Sequence, residues 1–277
     1  MADGWIEVGD RCWVRRFAHV DVSAGVIAGE AGLLVLDTRA SLRQGEELAA
    51  HVRALSGLPV LAVLNSHEHF DHTWGNGAFP GLPIVAHESV PAAMRAGRAR
   101  IERLYAEDPT VPFGPEVVAS PLVVPTQTFR DSWSLDLGGR AVTARFLGRG
   151  HTAGDVVLHV PDAEVLYAGD LIEESAPPSF GDDCYPLEWA PTLERVAGLL
   201  GERTVVVPGH GAPVGTAYLR AQRDDIATVA AEIRRLRGTA REEPPPVAEA
   251  LRRGRWPWKA ERLGDAVARG FAQLADG

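Results

Sequence analysis

Within six consecutive residues, His67, His69, Asp71 and His72 set three imidazoles and a carboxylate in one short turn, with Glu68 and Phe70 between them. Imidazole nitrogen and carboxylate oxygen are the donors a borderline-soft dication such as zinc favours, whereas calcium or magnesium takes an oxygen-dominated set. Three more such groups stand beside glycines further along: His151 in GRGHTAGD, Asp170 in YAGDLIEE and His210 in VVVPGHGAPV. Glycine lets the backbone turn sharply and come close to an ion. A single catalytic zinc takes three protein ligands and leaves a position for water. Seven candidates, His67, His69, Asp71, His72, His151, Asp170 and His210, therefore point to two metals that share one ligand.

Elements that would mount these groups are legible upstream of each. The nearly continuous apolar run Val60 to Asn65 reads as a strand buried on both faces, and it leads straight into the histidine turn. Before it, β-branched clusters broken by glycine between Cys12 and Asp37 predict successive strands, and Leu42, Leu48, Val52 and Leu55 form a helical stripe stopped by Gly57 and Pro59. After it come a short strand at Ile84 to Ala86, a helix over Ser89 to Tyr105, and a proline-bearing connection from Asp108 to Pro125. The segment Ser132 to Phe146 alternates around Gly138 and Gly139, and VVLHV and VLYAG flank a Pro161–Ala163 turn, so two hairpins and a second sheet are expected. Leu187 to Leu200 fits a helix, TVVVP a buried strand and Ala217 to Leu236 a long amphipathic helix, with Pro244 to Pro246 interrupting before terminal helices.

With 277 residues, 45% apolar and 23% charged, the chain can bury a sizeable core, most simply as one αβ domain. A net charge of −9 repels a nucleic-acid polyanion at long range, which argues against a nuclease. Cys12 and Cys184 lie far apart and in no CxxC pattern, consistent with a reducing cytoplasm. The first residues lack a basic and then apolar leader, and no apolar run nears the roughly 20 residues of a membrane span.

From about residue 12 to 215, the order HxHxDH, lone His, lone Asp, final His resembles the metallo-β-lactamase superfamily. The resemblance implies an α/β fold, an αββα sandwich of two mixed sheets flanked by helices, with a core over residues 1–215 and C-terminal helices over 216–277 packed on it. It implies that His67, His69 and His151 bind a first zinc, that Asp71, His72 and His210 bind a second, and that Asp170 bridges them, with iron or manganese as other metals. The chemistry it implies is hydrolysis of a small-molecule ester, lactone, thioester or amide by a metal-bridging hydroxide. Asp71 would then orient the hydroxide or pass a proton to the leaving group. A mononuclear iron persulfide dioxygenase is the competing class, and β-lactamase activity a further alternative. Asp170 counts against the latter, because true β-lactamases often use Cys as a second-site ligand or lack that Asp. A small-molecule substrate, no nucleic-acid or membrane partner, and a monomer or homodimer are the expected associations.

Other residues have plainer readings. His19, His51, His87 and His159 are assigned to surface or satisfied core, Phe70 and Trp74 to packing, and Glu68 to a solvated or supporting position facing away from the metals. Arg149 is read as pairing with a surface carboxylate rather than with substrate. The loop Glu173 to Pro186 could roof the pocket, and Arg15 to Val20 could overhang it with Phe17 or His19 toward substrate.

Overall fold

The computed structural model describes residues 4–107, 112–238 and 243–275. Among these, two sheets lie face to face. The first contains β1 (Ile6–Gly9), β2 (Cys12–Arg16), β3 (Ser23–Ala28), β4 (Leu33–Leu36), β5 (Val60–Leu64), β6 (Ile84–His87) and β7 (Gln127–Phe129), adjacent in that order. Its first four strands pair antiparallel and β4 to β7 pair parallel. The second contains β8 (Ser132–Asp136), β9 (Ala141–Phe146), β10 (Val156–Val160), β11 (Val165–Glu173), β12 (Val205–His210) and β13 (Val214–Gly215), spatially in reverse order. Within it β11 and β12 run parallel and the other neighbours antiparallel.

Strand alternation explains why LLVL and VLAVL carry so few polar residues. Successive side chains leave opposite faces of a sheet, so Leu34 and Leu64 join the layer between the sheets with Leu158, Tyr167 and Val207. Leu33, Val35 and Val63 face the other way, against Leu48 and Val52 of α1 (Leu42–Leu55). Ser41 caps α1 by accepting the Gln44 N–H. The ligand turn contains the one-turn helix α2 (Phe70–Thr73), and α3 (Val90–Glu107) packs over it through Met94, Ile101 and Tyr105 against Trp74. The outer face of the second sheet is covered by α5 (Pro186–Ala197), α6 (Thr216–Gly238) and α8 (Gly264–Ala275). The result is the αββα order that the resemblance implied.

One segment departs from the sequence reading. Within the stretch read as a plain connection, 114–119 form the helix α4 (Gly114–Ala119), while 108–111 lie outside the described residues. Six residues are too few for a periodic signal, but Pro115 in the first turn, where its missing N–H costs nothing, was the local clue. Val117 is fully buried and Glu116 accepts bonds from Ser41 and Gln44, so tertiary contacts hold this short helix. After Pro244 to Pro246 the chain forms α7 (Val247–Arg253), and Trp256 and Trp258 pack on the α5, α6 and α8 cluster. No helix among the described residues is long and apolar enough to cross a membrane.

Candidate metal centre

The seven residues converge from both sheets onto one edge of the sandwich. β5 runs into Asn65 and Ser66, and the carbonyl of His72 accepts bonds from the Thr38 N–H at 2.8 Å and the Asn65 side chain at 3.3 Å, so the end of the turn is tied back to its beginning. His151 sits in the bend between β9 and β10, and His210 is the last residue of β12. Asp170 was read in a loop beyond a strand; it lies inside β11, where the pairing register with β12 slips on both sides of Gly169. Gly169 has φ +53°, and a Cβ on it would meet the Ser66 side chain at 2.8 Å. A Cβ on Gly209 would lie 1.9 Å from Asp170 Oδ1. Glycine at these two positions is thus what lets β11 and β12 bring Asp170 and His210 against the ligand turn.

Two adjoining groups result, one of His67, His69, His151 and Asp170, the other of Asp71, His72 and His210. In the first, His69 Nδ1 and His151 Nε2 are 2.9 Å apart, and Asp170 Oδ2 is 3.4 Å from His151 Nε2 and 3.8 Å from His67 Nε2. In the second, His72 Nε2 and His210 Nε2 are 3.4 Å apart, with Asp71 Oδ2 at 3.6 and 3.4 Å from them. Asp170 joins the groups, its Oδ1 3.1 Å from His72 Nε2 and its Oδ2 3.2 Å from His210 Nε2.

The remaining ring nitrogens show whether a cation fits. His67 Nδ1 faces Ser66 Oγ at 3.0 Å, His69 Nε2 faces Asp183 at 3.0 Å, and His72 Nδ1 faces Asp37 at 2.8 Å. His151 Nδ1 faces the Ser179 carbonyl and His210 Nδ1 the Val20 carbonyl, each at 2.9 Å. Each outward nitrogen has an acceptor for its proton, so each inward nitrogen presents a lone pair, the pattern of a histidine held for metal binding. His67 Nε2 and Asp170 Oδ1 are buried without a hydrogen-bond partner. Buried polar atoms left this way are costly, and a dication would satisfy both. The residues fit a metal ion, and each of the two groups has the donor set to hold one.

Electrostatics divide the imidazoles into two kinds, His67 and His151 held neutral, and His69, His72 and His210 favouring a proton that a metal ion would displace. Burial, helped by neighbouring imidazoles, holds His67 well below its ordinary range and His151 near 4, as neutral donors. Burial opposes charge on His69, His72 and His210 too, but Asp183 outweighs it at His69 and Asp170 at His210, raising both to about 9, and Asp170, Asp71 and Asp37 raise His72 well above its ordinary range. Asp170 is held well below the carboxylate range by His210, His72 and His67 despite its burial. The carboxylates thus draw positive charge into the cluster. Nearby, burial raises Asp155 and Glu173 to about 7.

Among the residues given plainer readings, Arg149 bonds Glu188 in two places and covers the Tyr185 ring, and His87 stacks on Phe146 away from the centre. Glu68 is buried, not solvated, and Trp74 is core. Phe17 does not reach the cavity: it is buried beneath the Arg39 guanidinium, and His19 bonds Gln44. Val20 does line it, in the left-handed region at φ 51°. The Glu173 to Pro186 loop also lines it through Ser175, Ser179, Asp182 and Asp183. Sequence reasoning missed Asp37, although it follows a buried strand as the ligands do. Its carboxylate accepts from His72 and from the N–H and hydroxyl of Ser66, the latter in turn facing His67, so one side chain steadies both groups.

Comparisons with known proteins agree with this geometry. The chain is 29% identical to a linear primary-alkylsulfatase of Pseudomonas sp. (strain ATCC 19151) over 244 residues, which is 74% of this chain and 45% of that protein. It is 24% identical to a metallo-β-lactamase type 2 of Bacillus cereus over 188 residues, 67% of this chain and 65% of that one. It is 27% identical to an acyl-coenzyme A thioesterase of Homo sapiens over 166 residues, 55% of this chain and 56% of that one. The chain thus spans less than two thirds of each of these relatives. A metallo-β-lactamase structure from Pontibacter korlensis superposes with a TM-score of 0.63 at 21% identity, covering 80% of this chain and 98% of that one, which shows the shared fold. The model of the metallo-β-lactamase superfamily matches residues 19–216, most of the chain and all seven site residues, and the protein belongs to that superfamily.

Proposed function

We propose that the protein is a binuclear zinc-dependent hydrolase that cleaves an ester, thioester, lactone or amide bond in a small molecule. The observation that carries this reading is the pair of adjoining ligand groups, with Asp170 of the first within 3.2 Å of His72 and His210 of the second, at the floor of a cavity of about 830 Å³, a size typical of small-molecule sites. His67, His69 and His151 would hold one ion, Asp71, His72 and His210 the other, and Asp170 both. When bound, the ions would supply a nucleophile at neutral pH and polarise the substrate oxygen that becomes negative. The chain's own part is positional. Asp183, Asp37 and the Ser179 and Val20 carbonyls fix the imidazoles, and the Asp71 carboxylate, which also lines the cavity, would orient the attacking water or pass a proton to the leaving group. The thioesterase relative is named for a thioester and the alkylsulfatase for a sulfate ester, which supports hydrolysis of an ester or thioester in a small molecule.

Elemental analysis of protein purified without added metal, with Asp170→Ala and His151→Ala variants, tests the reading. Near two zinc per chain, falling in both variants, with turnover of an ester, thioester or lactone panel, is expected. About one iron per chain would replace the reading with a dioxygenase, and no metal in folded protein would overturn it.

A further inference from the structure

The cavity above the centre is polar at its floor and mainly apolar along α3, where Arg100 also lines it, its charge paired with Asp182. Ala93, Met94, Gly97, Ile101 and Leu104 line it from α3, and the spacing of three and four residues places them on one helix face. Phe70 and Trp74 continue the apolar surface down to the ligand turn. Leu104 and Val20, 51% and 38% exposed, also line this cavity, though large apolar side chains on the surface lose by staying in water.

Gly97 is the informative residue. Glycine within a helix is less stable than alanine, and it persists where the backbone needs a positive φ or a neighbour needs the room. Neither holds here: Gly97 sits within α3, and a Cβ on it would meet nothing within 4 Å. The space beside it is the cavity itself.

We propose that this wall seats a straight acyl or alkyl chain of the substrate, that Gly97 sets the length accepted, and that Leu104 covers the chain at the mouth. The inference rests on the hydrolase reading for the bond cleaved at the floor, but the chain site stands on the wall alone. The substrate class is then an aliphatic ester or thioester, the scissile bond at the metal centre and the hydrocarbon along α3.

Calorimetric titration of the purified protein with acetate, hexanoate and decanoate tests this without turnover. Each methylene buried should tighten binding about fourfold until the wall is filled, so hexanoate should bind at least tenfold tighter than acetate. Gly97→Phe should reduce that preference below about threefold, and Leu104→Ser, an exposed change that leaves the fold intact, should weaken decanoate more than hexanoate. No preference in the wild type, or an undiminished one in both variants, overturns the proposal. A parallel series of p-nitrophenyl esters separates the two readings: chain-dependent binding without ester turnover sinks the hydrolase and leaves the chain site, whereas turnover indifferent to chain length, with binding equally indifferent, sinks the chain site alone.

Discussion

The floor of the cavity and its α3 wall are built on opposite rules. On the floor every site histidine has its outward nitrogen bonded, Asp37 steadies two ligand groups at once, and Gly209 has no room for a Cβ. On the wall Gly97 meets nothing, Leu104 is half exposed, and Arg100 reaches across the cavity to Asp182 as an exposed ion pair. Chemistry at an ion tolerates little displacement, whereas admission of a substrate needs space. Substitutions on the floor should therefore reduce rate and metal content together, and those on the wall should alter selectivity with metal retained.

The harshest break of the floor is Asp170→Ala, because it removes the carboxylate shared by both groups. Loss of a mere supporting partner of a metal ligand costs about 10–100-fold, so loss of the shared ligand should exceed about 100-fold in kcat/KM, with zinc below one per chain. Retention of two zinc would show that Asp170 does not join the sites.

A milder break is Asp37→Asn. Asp37 adopts φ +59°, a conformation asparagine tolerates, so the substitution removes charge without straining the backbone. Zinc affinity should fall about 10–100-fold and, because Asp37 touches His72 directly and His67 through Ser66, both ions should be affected. Zinc titration monitored by calorimetry reads this. Loss confined to one ion would break the idea of a shared support.

How legible was this contrast in the sequence? The residues that meet at the floor could be picked out from the HEHFDH cluster and from the glycine beside each of His151, Asp170 and His210, although Asp170 lies within β11 rather than beyond a strand. Asp37 escaped because a lone acid after LVL has no partner within reach along the chain; its partners, Ser66 and His72, are distant in sequence. The wall was invisible for a different reason. Helical periodicity predicted α3, yet nothing in Ser89 to Tyr105 says which face meets a cavity, and Gly97 in a helix reads only as a weak point. The helix α4 was lost because its six residues are held by contacts with α1 and α3 rather than by their own propensity.

The pH dependence of stability sharpens the electrostatic side of the floor. In chelated protein His69 and His210, at about 9 against an ordinary 6.5, bind protons more tightly folded than unfolded. Their contribution is fully present below 6.5 and lost as pH rises through about 9. Asp155 and Glu173, raised to about 7, have largely titrated by pH 8 and leave the upper window clear. Melting temperature of chelated protein should fall from pH 8 to 9.5. In zinc-loaded protein it should hold or rise, since metal replaces protons on the same nitrogens. A parallel fall in both would mean that zinc binds elsewhere.

The smallest effect belongs to a residue outside both regions. Arg149 stands two positions before His151, which made a substrate contact conceivable, yet its guanidinium lies over Tyr185 and bonds both oxygens of Glu188 at 2.9 and 2.6 Å. The pair is on the surface, with the side chains 45% and 37% exposed, where such bridges contribute about 0–1 kcal/mol. Arg149→Ala should therefore lower stability by no more than about 1 kcal/mol in urea unfolding, with zinc content and kcat/KM unchanged. A fall of tenfold or more in kcat/KM at unchanged zinc content would move Arg149 from the scaffold to the substrate, and would extend the recognition surface past the α3 wall to the far side of His151.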